Sequence, residues 1–464
     1  MALKDTNQDY DDNLDIWLTM RDVVAGEKAI KDYSRREIYL PNFVPDQGID
    51  RYDAYINRAI YVNYTGETEK RLLGAIFRKP ATYVLPQQLE YMLEDCTGNG
   101  LGLEQFAKVI CSDILVVSRS GIMVDFPDAE KSTGSTLVPT FSRYPVESIY
   151  NWRSKWIDGK EYLTQVRLKE EIEVEVDEFT TKYEDQYRVL DIEPETGYYR
   201  QRIYNNAANL ISEFYPRANG SLLKKIPFFF VGSENNRSSI GVPPLYDLGV
   251  INLGHYRNSA DYEDSVHTHG QGTVFLSSDL STDQFKEANP NGIKMGSRAG
   301  HFLGPNGKAE LLQMESNMAA YEAMSQKEEQ MKAFGAEMFD FKGQSQTAEE
   351  ARIRATSEAN SLNLVVGNVS SAIEDALEMA ALFIGADDSI IEYQLNNEFF
   401  PITITADDAR MLKELKDSGV IALSDLRNKL RKTEIISPDR TDEEIDKDIK
   451  NNGQVLTTYE TNVI

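Results

Sequence analysis

The chain has 464 residues, which is more than one ordinary compact core holds and predicts two or more structural units. Hydrophobic residues make up 41% and charged residues 27%, a composition that excludes wholesale disorder. The formal net charge of -26 argues against a surface that grips nucleic acid, because such surfaces need Lys and Arg. The charge is compatible with a carboxylate-lined passage that repels phosphates, or with solubility alone.

The cysteines, histidines and glycines do not form a metal, redox or nucleotide motif. Cys96 and Cys111 are too few for a disulfide framework and are not spaced as a zinc knuckle, so we expect two reduced, buried thiols. His267 and His269 lack an acidic or cysteine partner at ligand spacing. The glycine-rich GPNGK lacks the spacing of a phosphate-binding loop. We therefore expect no metal and no cofactor.

Nothing in the sequence predicts a membrane partner. No stretch approaches the roughly 20 apolar residues that a membrane helix needs. The N-terminal sequence MALKDTNQDYDDN is acidic, whereas a signal peptide is basic and then apolar. We therefore expect a protein that is made in the cytosol.

Helical periodicity dominates the first quarter of the chain. The predicted helices are one over 14–33, two within 51–78, one near 86–95 and one over 103–115. Gly26 weakens the middle of the first helix. The segment Tyr64-Thr65-Gly66 is expected to divide the second and third helices by a short turn.

From residue 116 to about 230 the pattern changes to a period of two, which is typical of antiparallel strands. Its most regular part alternates Ile172, Val174 and Val176 with acidic residues. We interpret this part as a strand with one wet, acidic face, because a half-buried strand produces such alternation by itself. Paired carboxylates also serve glycosidases, so a carbohydrate-active hydrolase is a less favoured alternative.

The segment 243–268 opens with two prolines and predicts an unusually polar helix. Its polar side chains could not all lie in a dry core, so we expect much of the helix to face solvent or another subunit. These side chains are Asn252, His255, Asn258, Asp261 and Asp264. Residues 270–312 are rich in Gly, Ser and Asn and predict short strands joined by tight turns, after which 313–335 return to helix.

The clearest helix of the sequence is expected over 347–385. A capping box at Thr347–Glu350 fixes its start, and Gly367 offers a place to bend. A helix of this length would span roughly 58 Å. We expect a buried scaffold helix, with coiled-coil dimerisation as the alternative. Residues 390–405 predict strands, and residues 406–450 predict short charged helices.

Six motifs in this order resemble the portal proteins of tailed bacteriophages, the head-to-tail connectors, and among them the short podovirus-like type. They are W-x-x-x-R-D-x-x-x-G from Trp17 to Gly26, YLP from Tyr39 to Pro41, the segment Tyr52–Arg78 ending in GAIFRKP, SRSGIMVDFP ending at Pro127, PPLYDLGVINLGHYRNSADYEDSVH and QTAEEARIRATSEANSL. The resemblance covers nearly the whole chain. It implies an α+β portal fold.

By this resemblance the chain divides as a portal subunit does. The implied parts are a wing at 1–242 with a helical first part and an antiparallel β second part, a first stem helix at 243–268, a β-containing clip at 269–312, a second stem helix at 313–335, a tunnel loop at 336–346, a long tunnel-lining wing helix at 347–385, wing strands at 386–405 and a short helical crown at 406–464.

The resemblance implies a non-enzymatic, dodecameric ring at one capsid vertex, through which double-stranded DNA is packaged and ejected. The implied partners are the terminase large subunit, the major capsid protein, the scaffold and the head-tail adaptor. The implied location is the virion, with the host cytoplasm during assembly. A capsid or tail structural subunit that never contacts DNA is the alternative.

Candidate contact residues follow from the same resemblance. Twelve copies of Lys342, with Glu337 and Asp340 beside it, would surround one axis, where the lysines touch phosphates weakly or are ordinary solvated loop residues. Arg352 and Arg354 would face the channel or the carboxylates of an adjacent subunit. In the clip, the candidates for contact with the adaptor or terminase are Phe285, Lys286, Lys294 and Arg298.

Overall fold

The computed structural model of this chain describes residues 2–41, 48–126, 138–269, 273–290, 292, 301–312, 318–339, 348–399, 406–433, 435–437 and 440–452. The chain forms two compact units, Met1–Leu395 and Asn396–Ile464. The first unit combines helices and sheets, which confirms the predicted mixture of the two. The finer division into wing, stem, clip and crown stays a prediction.

The N-terminal part of the first unit is helical. Its helices are α1 (Gln8–Ala25), α2 (Glu27–Ile30), α3 (Arg36–Tyr39), α4 (Ile49–Arg58), α5 (Tyr64–Ile76), a 3-10 helix (Gln87–Leu93) and α6 (Leu103–Val117). The helix predicted over 103–115 is confirmed. The helix predicted near 86–95 has 3-10 geometry instead.

Two predicted helix boundaries are wrong, and each has a local cause. The helix expected over 14–33 ends at Ala25, because Gly26 has a φ of 93°, far outside the helical region. The division expected at Tyr64-Thr65-Gly66 lies between Arg58 and Tyr64 instead. Asn63 caps α5, and its side-chain oxygen accepts a hydrogen bond from the Gly66 N–H at 2.9 Å.

The first motif of the sequence contributes buried contacts to this helical part. Trp17 is fully buried in α1. Arg21 pairs with Asp113 of α6 at 2.8 Å, and Asp22 accepts a hydrogen bond from the Tyr39 hydroxyl at 2.5 Å. Packing within the first unit therefore explains why the first motif has Trp17, Arg21 and Asp22 at these positions.

The strands of the first unit follow the helices. They are β1 (Thr82–Val84), β2 (Arg119–Asp125), β3 (Thr140–Pro145), β4 (Ile149–Ile157), β5 (Lys160–Asp177), β6 (Thr180–Ile192), β7 (Tyr199–Asn205), β8 (Leu210–Phe214), β9 (Arg217–Ala218), β10 (Ser221–Leu222), β11 (Phe228–Gly232) and, later in the chain, β14 (Glu392–Gln394). Strands β4 to β8 form one antiparallel sheet in chain order, and β11, β2 and β3 form another. The predicted β-rich stretch is confirmed.

Strands β5 and β6 extend beyond the rest of their sheet. β4 pairs with β5 only as far as Leu168, and β7 pairs with β6 only from Gln186 onward, so 169–185 form a two-stranded ribbon. Ile172 and Val174 are half-buried there, whereas the alternating Glu171, Glu173 and Glu175 are exposed. The predicted strand with one wet, acidic face is confirmed as far as Val174, whereas Val176 is 55% exposed because it lies near the tip of the ribbon.

The remaining helices of the first unit are α7 (Tyr246–His269), α8 (Thr282–Ala288), α9 (Met318–Phe339) and α10 (Ala348–Ile384). Helix α10 is the predicted long helix. It packs on β2, β11 and α6, where Val369 and Ile373 are fully buried, and the Asn368 amide donates to the Gly232 carbonyl at 2.8 Å. This burial within one subunit favours the scaffold helix over the coiled-coil alternative.

The second unit contains the short charged helices that the sequence predicts. They are α11 (Ala406–Asp417), α12 (Leu423–Lys432) and α13 (Asp442–Asn452). Arg427 of α12 forms ion pairs with Asp442 and Asp446, and Ile445 of α13 is buried. Ion pairs and a small apolar contact therefore hold α12 against α13.

Candidate functional site

Helices α7 and α9 lie side by side and antiparallel. A Cβ at Gly254 would lie 3.0 Å from the Cε atom of Lys327, and further along α7 the rings of Tyr262 and Tyr321 have centroids 5.8 Å apart. Because residue numbers rise along α7 as they fall along α9, the two helices run in opposite directions. A small insertion connects their ends.

Asn252 is fully buried near the start of α7 and satisfies four polar groups. Its side-chain oxygen accepts hydrogen bonds from the Tyr61 hydroxyl (3.2 Å), the Thr65 N–H (3.1 Å) and the Thr65 hydroxyl (3.0 Å). Its amide group donates to the Val62 carbonyl at 2.8 Å. The segment 61–65 supplies these buried partners, whereas Asn258 is half-buried and Asp261 is exposed, so the five polar side chains of α7 do not all lie in a dry core.

His255 is also buried and packs edge-on against Tyr64 with ring centroids 6.3 Å apart. The Tyr64 hydroxyl donates to Glu328 of α9 at 2.7 Å. Burial lowers the pKa of His255; the Glu328 carboxylate opposes this shift and Lys327 adds to it. Hydrogen bonds from Lys332 and Tyr64 lower the pKa of Glu328, and burial raises the pKa of Tyr64 to about 12.

Replacing His255 by phenylalanine is expected to flatten the loss of stability below neutral pH. Because the histidine pKa is lower in the folded than in the unfolded chain, the unfolded chain binds the proton first as the pH falls below 6.5. The histidine therefore costs up to about 1.4 kcal/mol of stability per pH unit in that window. Urea unfolding at several pH values measures the slope, and His267→Phe, at an exposed position of α7, is the control. Equal slopes in wild type and His255→Phe would contradict this prediction.

The outer half of α7 is tied to α4 by charged groups. Asp264 accepts hydrogen bonds from Arg51 at 2.5 Å and from Arg58 at 2.9 Å, and Asp261 accepts one from the Tyr55 hydroxyl at 2.6 Å. The bond to Asp264 raises the pKa of Arg51. The direction of α7 relative to the helical part is therefore fixed along more than half of its length.

The insertion between α7 and α9 contains a hairpin and a helix. Its strands are β12 (Thr273–Ser277) and β13 (Lys308–Leu312), which pair antiparallel. The sequence predicts the strands but misses α8, whose signal is the capping box formed by Ser281 and Gln284. A Cβ at Gly304 would lie 1.9 Å from the Asp279 carboxylate, so glycine is required at this turn.

Of the predicted contact residues, only Phe285, Lys286, Glu337, Arg352 and Arg354 lie among the described residues. Phe285 is half-buried and Lys286 is exposed, both on α8, whereas Lys294 and Arg298 lie outside the described residues. Lys342 and Asp340 also lie outside them. Glu337 lies on α9, which continues to Phe339, so the predicted loop at 336–346 starts inside a helix. Arg352 and Arg354 lie on the first turns of α10.

The described residues carry little reactive chemistry. Cys96 and Cys111 are free and buried, as predicted, and burial raises the pKa of the Cys96 thiol to about 12. Among the described residues no group of three or more His, Cys, Asp or Glu side chains is arranged to hold a metal ion. In the same part of the chain, every helix is too short or too polar to cross a membrane.

Comparisons with known proteins give one family match and several similar structures. The profile of a domain of unknown function (DUF4055) matches residues 244–384, which run from α7 to α10. The chain is similar to a chain in the virion of a native gene transfer agent (GTA) particle, with 13% identity and a TM-score of 0.45, covering 82% of this chain and 94% of that one.

Two further structures are similar at lower TM-scores. One is a chain in the neck of an empty GTA particle, with 14% identity, a TM-score of 0.42, and coverage of 79% of this chain and 89% of that one. The other is an HK97 family phage portal protein from Corynebacterium diphtheriae, with 11% identity, a TM-score of 0.30, and coverage of 73% and 96%. No curated protein matches the chain.

Proposed function

We propose that this chain is a phage portal protein of the short podovirus-like type, a non-enzymatic head-to-tail connector. Twelve copies form a ring at one capsid vertex, and double-stranded DNA enters and leaves through its centre. The ring docks terminase during packaging and a head-tail adaptor afterwards, and it contacts the major capsid protein and scaffold. DNA passes through the ring rather than binding to it.

The order of elements between Tyr246 and Ile384 carries this proposal. Helix α7 leads into a small insertion, α9 returns antiparallel to it, and the long helix α10 then runs into the β-rich core. A helix pair that is anchored at one end and carries a small insertion at the other suits a channel wall with a docking tip. A capsid shell has no evident need for this order.

Exposed apolar side chains on the helix pair support contact with neighbouring copies. Val250 and Val266 on α7, and Met318 and Tyr321 on α9, are each about half exposed in the single subunit. In a ring, one side of each pair meets the adjacent pair while another side lines the channel.

The acidity of the chain supports a passage rather than a binding surface. Each subunit carries a formal charge of -26, so twelve copies surround the channel with a strongly negative field. Phosphates are repelled by such a field, and the polymer can slide without being trapped. The candidate Lys342 would then offer only weak, repeated contacts.

Negative-stain electron microscopy of the purified protein tests the ring. We expect closed rings with a central hole under assembly conditions. Monomers alone, or flat shells, would remove the portal assignment, and flat shells would support the capsid alternative.

A deletion tests whether the predicted tunnel loop acts in DNA passage and not in ring formation. Removing residues 340–345 is expected to leave rings unchanged but to reduce nuclease-protected DNA in assembled heads. Removal of 129–134, in the connection between β2 and β3, is the control of equal length. Heads filled to the normal level in the first variant would exclude this segment from the mechanism.

A further inference from the structure

Strand β1 presents a free edge beside an open cavity. The Tyr393 N–H donates to the Glu374 carboxylate at 3.2 Å, so Tyr83, its partner in the register, is in a non-hydrogen-bonded pair. The Tyr83 N–H and carbonyl therefore point away from β14, and within the described ranges nothing bonds to them. The side chain of Tyr83 is 49% exposed, and Val84 beside it is 47% exposed.

The cavity next to this edge is lined by both apolar and acidic side chains. It has a volume of about 680 Å³ and is lined by Tyr83, Val84 and Tyr91 together with Glu90 and Glu94. Both glutamates are exposed. The chemistry of the cavity suits an extended segment that carries a large apolar side chain between positive charges.

The turn between β4 and β5, here called the β4–β5 hairpin, carries exposed apolar side chains beside lysines and so complements the apolar and acidic lining of the cavity. Trp156 is 68% exposed and Ile157 is 51% exposed, and Lys155 and Lys160 beside them are exposed as well. Strand β4 is at the edge of its sheet, and among the described residues no hydrogen bond reaches the outer edge at 155–157. An exposed edge that carries apolar side chains and unpaired backbone groups is a template for pairing with a strand of another chain.

The edge of β1 and this hairpin lie at opposite ends of β2 and cannot meet within one subunit. At the first end, the Tyr91 hydroxyl donates to the Pro139 carbonyl, next to Thr140, which pairs with Asp125 of β2. At the other end, the Arg119 guanidinium stacks on Trp152 of β4, 4.3 Å from the ring centroid. A seven-residue strand separates these ends by about 20 Å.

We propose that the β4–β5 hairpin of one subunit docks on β1 of a second copy of this chain. Residues 155–157 pair with the free edge of β1, Trp156 enters the cavity, and Lys155 and Lys160 face Glu90 and Glu94. Two different surfaces meet, so the contact is head-to-tail and generates a ring or an open helix. The inference deepens the ring proposal and rests on it for closure.

Cysteine cross-linking tests the contact. Tyr83→Cys and Ile157→Cys are prepared as separate proteins and as a double variant, since both positions are about half exposed and the two native cysteines are buried. Under mild oxidation, the mixed single variants are expected to give only a covalent dimer on a non-reducing gel. The double variant is expected to give a ladder of higher oligomers.

The other possible results of the cross-linking and microscopy experiments each support or overturn either the contact or the portal function. Dimers of Ile157→Cys alone at equal yield would indicate a symmetric contact and overturn the proposal. Rings in the microscope without cross-links would overturn the contact and leave the portal function standing. Cross-links without rings would support the contact and overturn the portal function. Absence of both would overturn both.

The concentration for half-assembly of substituted variants gives a second test of the contact that does not depend on oxidation. Trp156→Ala is expected to raise the concentration for half-assembly about thirtyfold, as for other hot-spot tryptophans. Lys160→Glu and Glu94→Lys are each expected to weaken assembly about fivefold, and their combination to restore it. Phe179→Ala, which removes a 90% exposed aromatic from the ribbon, is the control. An equal loss in the control, or no rescue by the charge swap, would contradict the proposal.

Discussion

Replacement of Asp113 by alanine is expected to lower the free energy of unfolding by about 3 kcal/mol, because it removes a buried carboxylate that accepts several charge-assisted hydrogen bonds from two partly exposed arginines. The Asp113 side chain is 1% exposed. Its carboxylate accepts hydrogen bonds from Arg143 at 2.6 Å and from Ser120 at 2.8 Å, and pairs with Arg21 at 2.8 Å. Chemical denaturation followed by circular dichroism measures the change.

The loss of stability arises because Arg21 and Arg143 keep their positive charges when the carboxylate of Asp113 is removed. Without the carboxylate, Arg21 keeps Glu147 as a partner at 2.8 Å, but Arg143 loses both of its bonds to Asp113. Glu104→Ala, at an exposed position of the same helix, is the matched control and should stay within about 0.5 kcal/mol of wild type. A loss below about 1 kcal/mol for Asp113→Ala would mean that this cluster is not a main support of the core.

Asn252→Leu is the second substitution with a large expected effect. Leucine fits the size of the site but leaves two groups of Thr65 and the Val62 carbonyl without their partner, while the Tyr61 hydroxyl keeps its bond to the Val23 carbonyl at 2.8 Å. Each buried polar group that loses its partner costs about 1–3 kcal/mol, so we expect a total loss of at least about 3 kcal/mol. Thermal and urea unfolding measure it, with Asn258→Leu, at a half-exposed position of α7, as the control.

The consequence of Asn252→Leu should extend to assembly. Asn252 fixes the start of α7 on the segment 61–65, and α7 in turn positions α9. Variant protein that is folded at low temperature is therefore expected to yield fewer rings than wild type under the same conditions. Wild-type stability together with wild-type ring yield would show that the network is dispensable.

Sequence patterns predict those elements whose signal is local. The long helix α10, the helix α6 and the ribbon around Ile172 were all within reach of periodicity, because a repeat of 3.6 or 2 fixes which face of an element is apolar. The error at Gly26 is of the same local kind, because the glycine predicts only a weakened helix, whereas its φ ends the helix. The capping box at Ser281 was likewise present in the sequence.

The polar residues of α7 show where local patterns fail. Asn252 and Asp264 are equally polar in sequence, yet one is fully buried and the other is partly exposed. The two residues differ in their hydrogen-bond partners. Asn252 bonds to hydroxyl and backbone groups of the segment 61–65, whereas Asp264 bonds to two arginines of α4. No periodicity contains that information, since both partners come from segments far away along the chain.

The sequence by itself determined the mixture of helices and strands, the acidic character of the subunit and the order of the three long helices α7, α9 and α10. Only the tertiary structure decided which polar groups are buried, because burial of a polar side chain depends on hydrogen-bond partners that the fold brings together. Only the tertiary structure also decided that the edge of β1 and the β4–β5 hairpin, which carries Trp156, lie at opposite ends of β2. That separation is a distance across a folded sheet, and a linear sequence does not encode it in any local pattern.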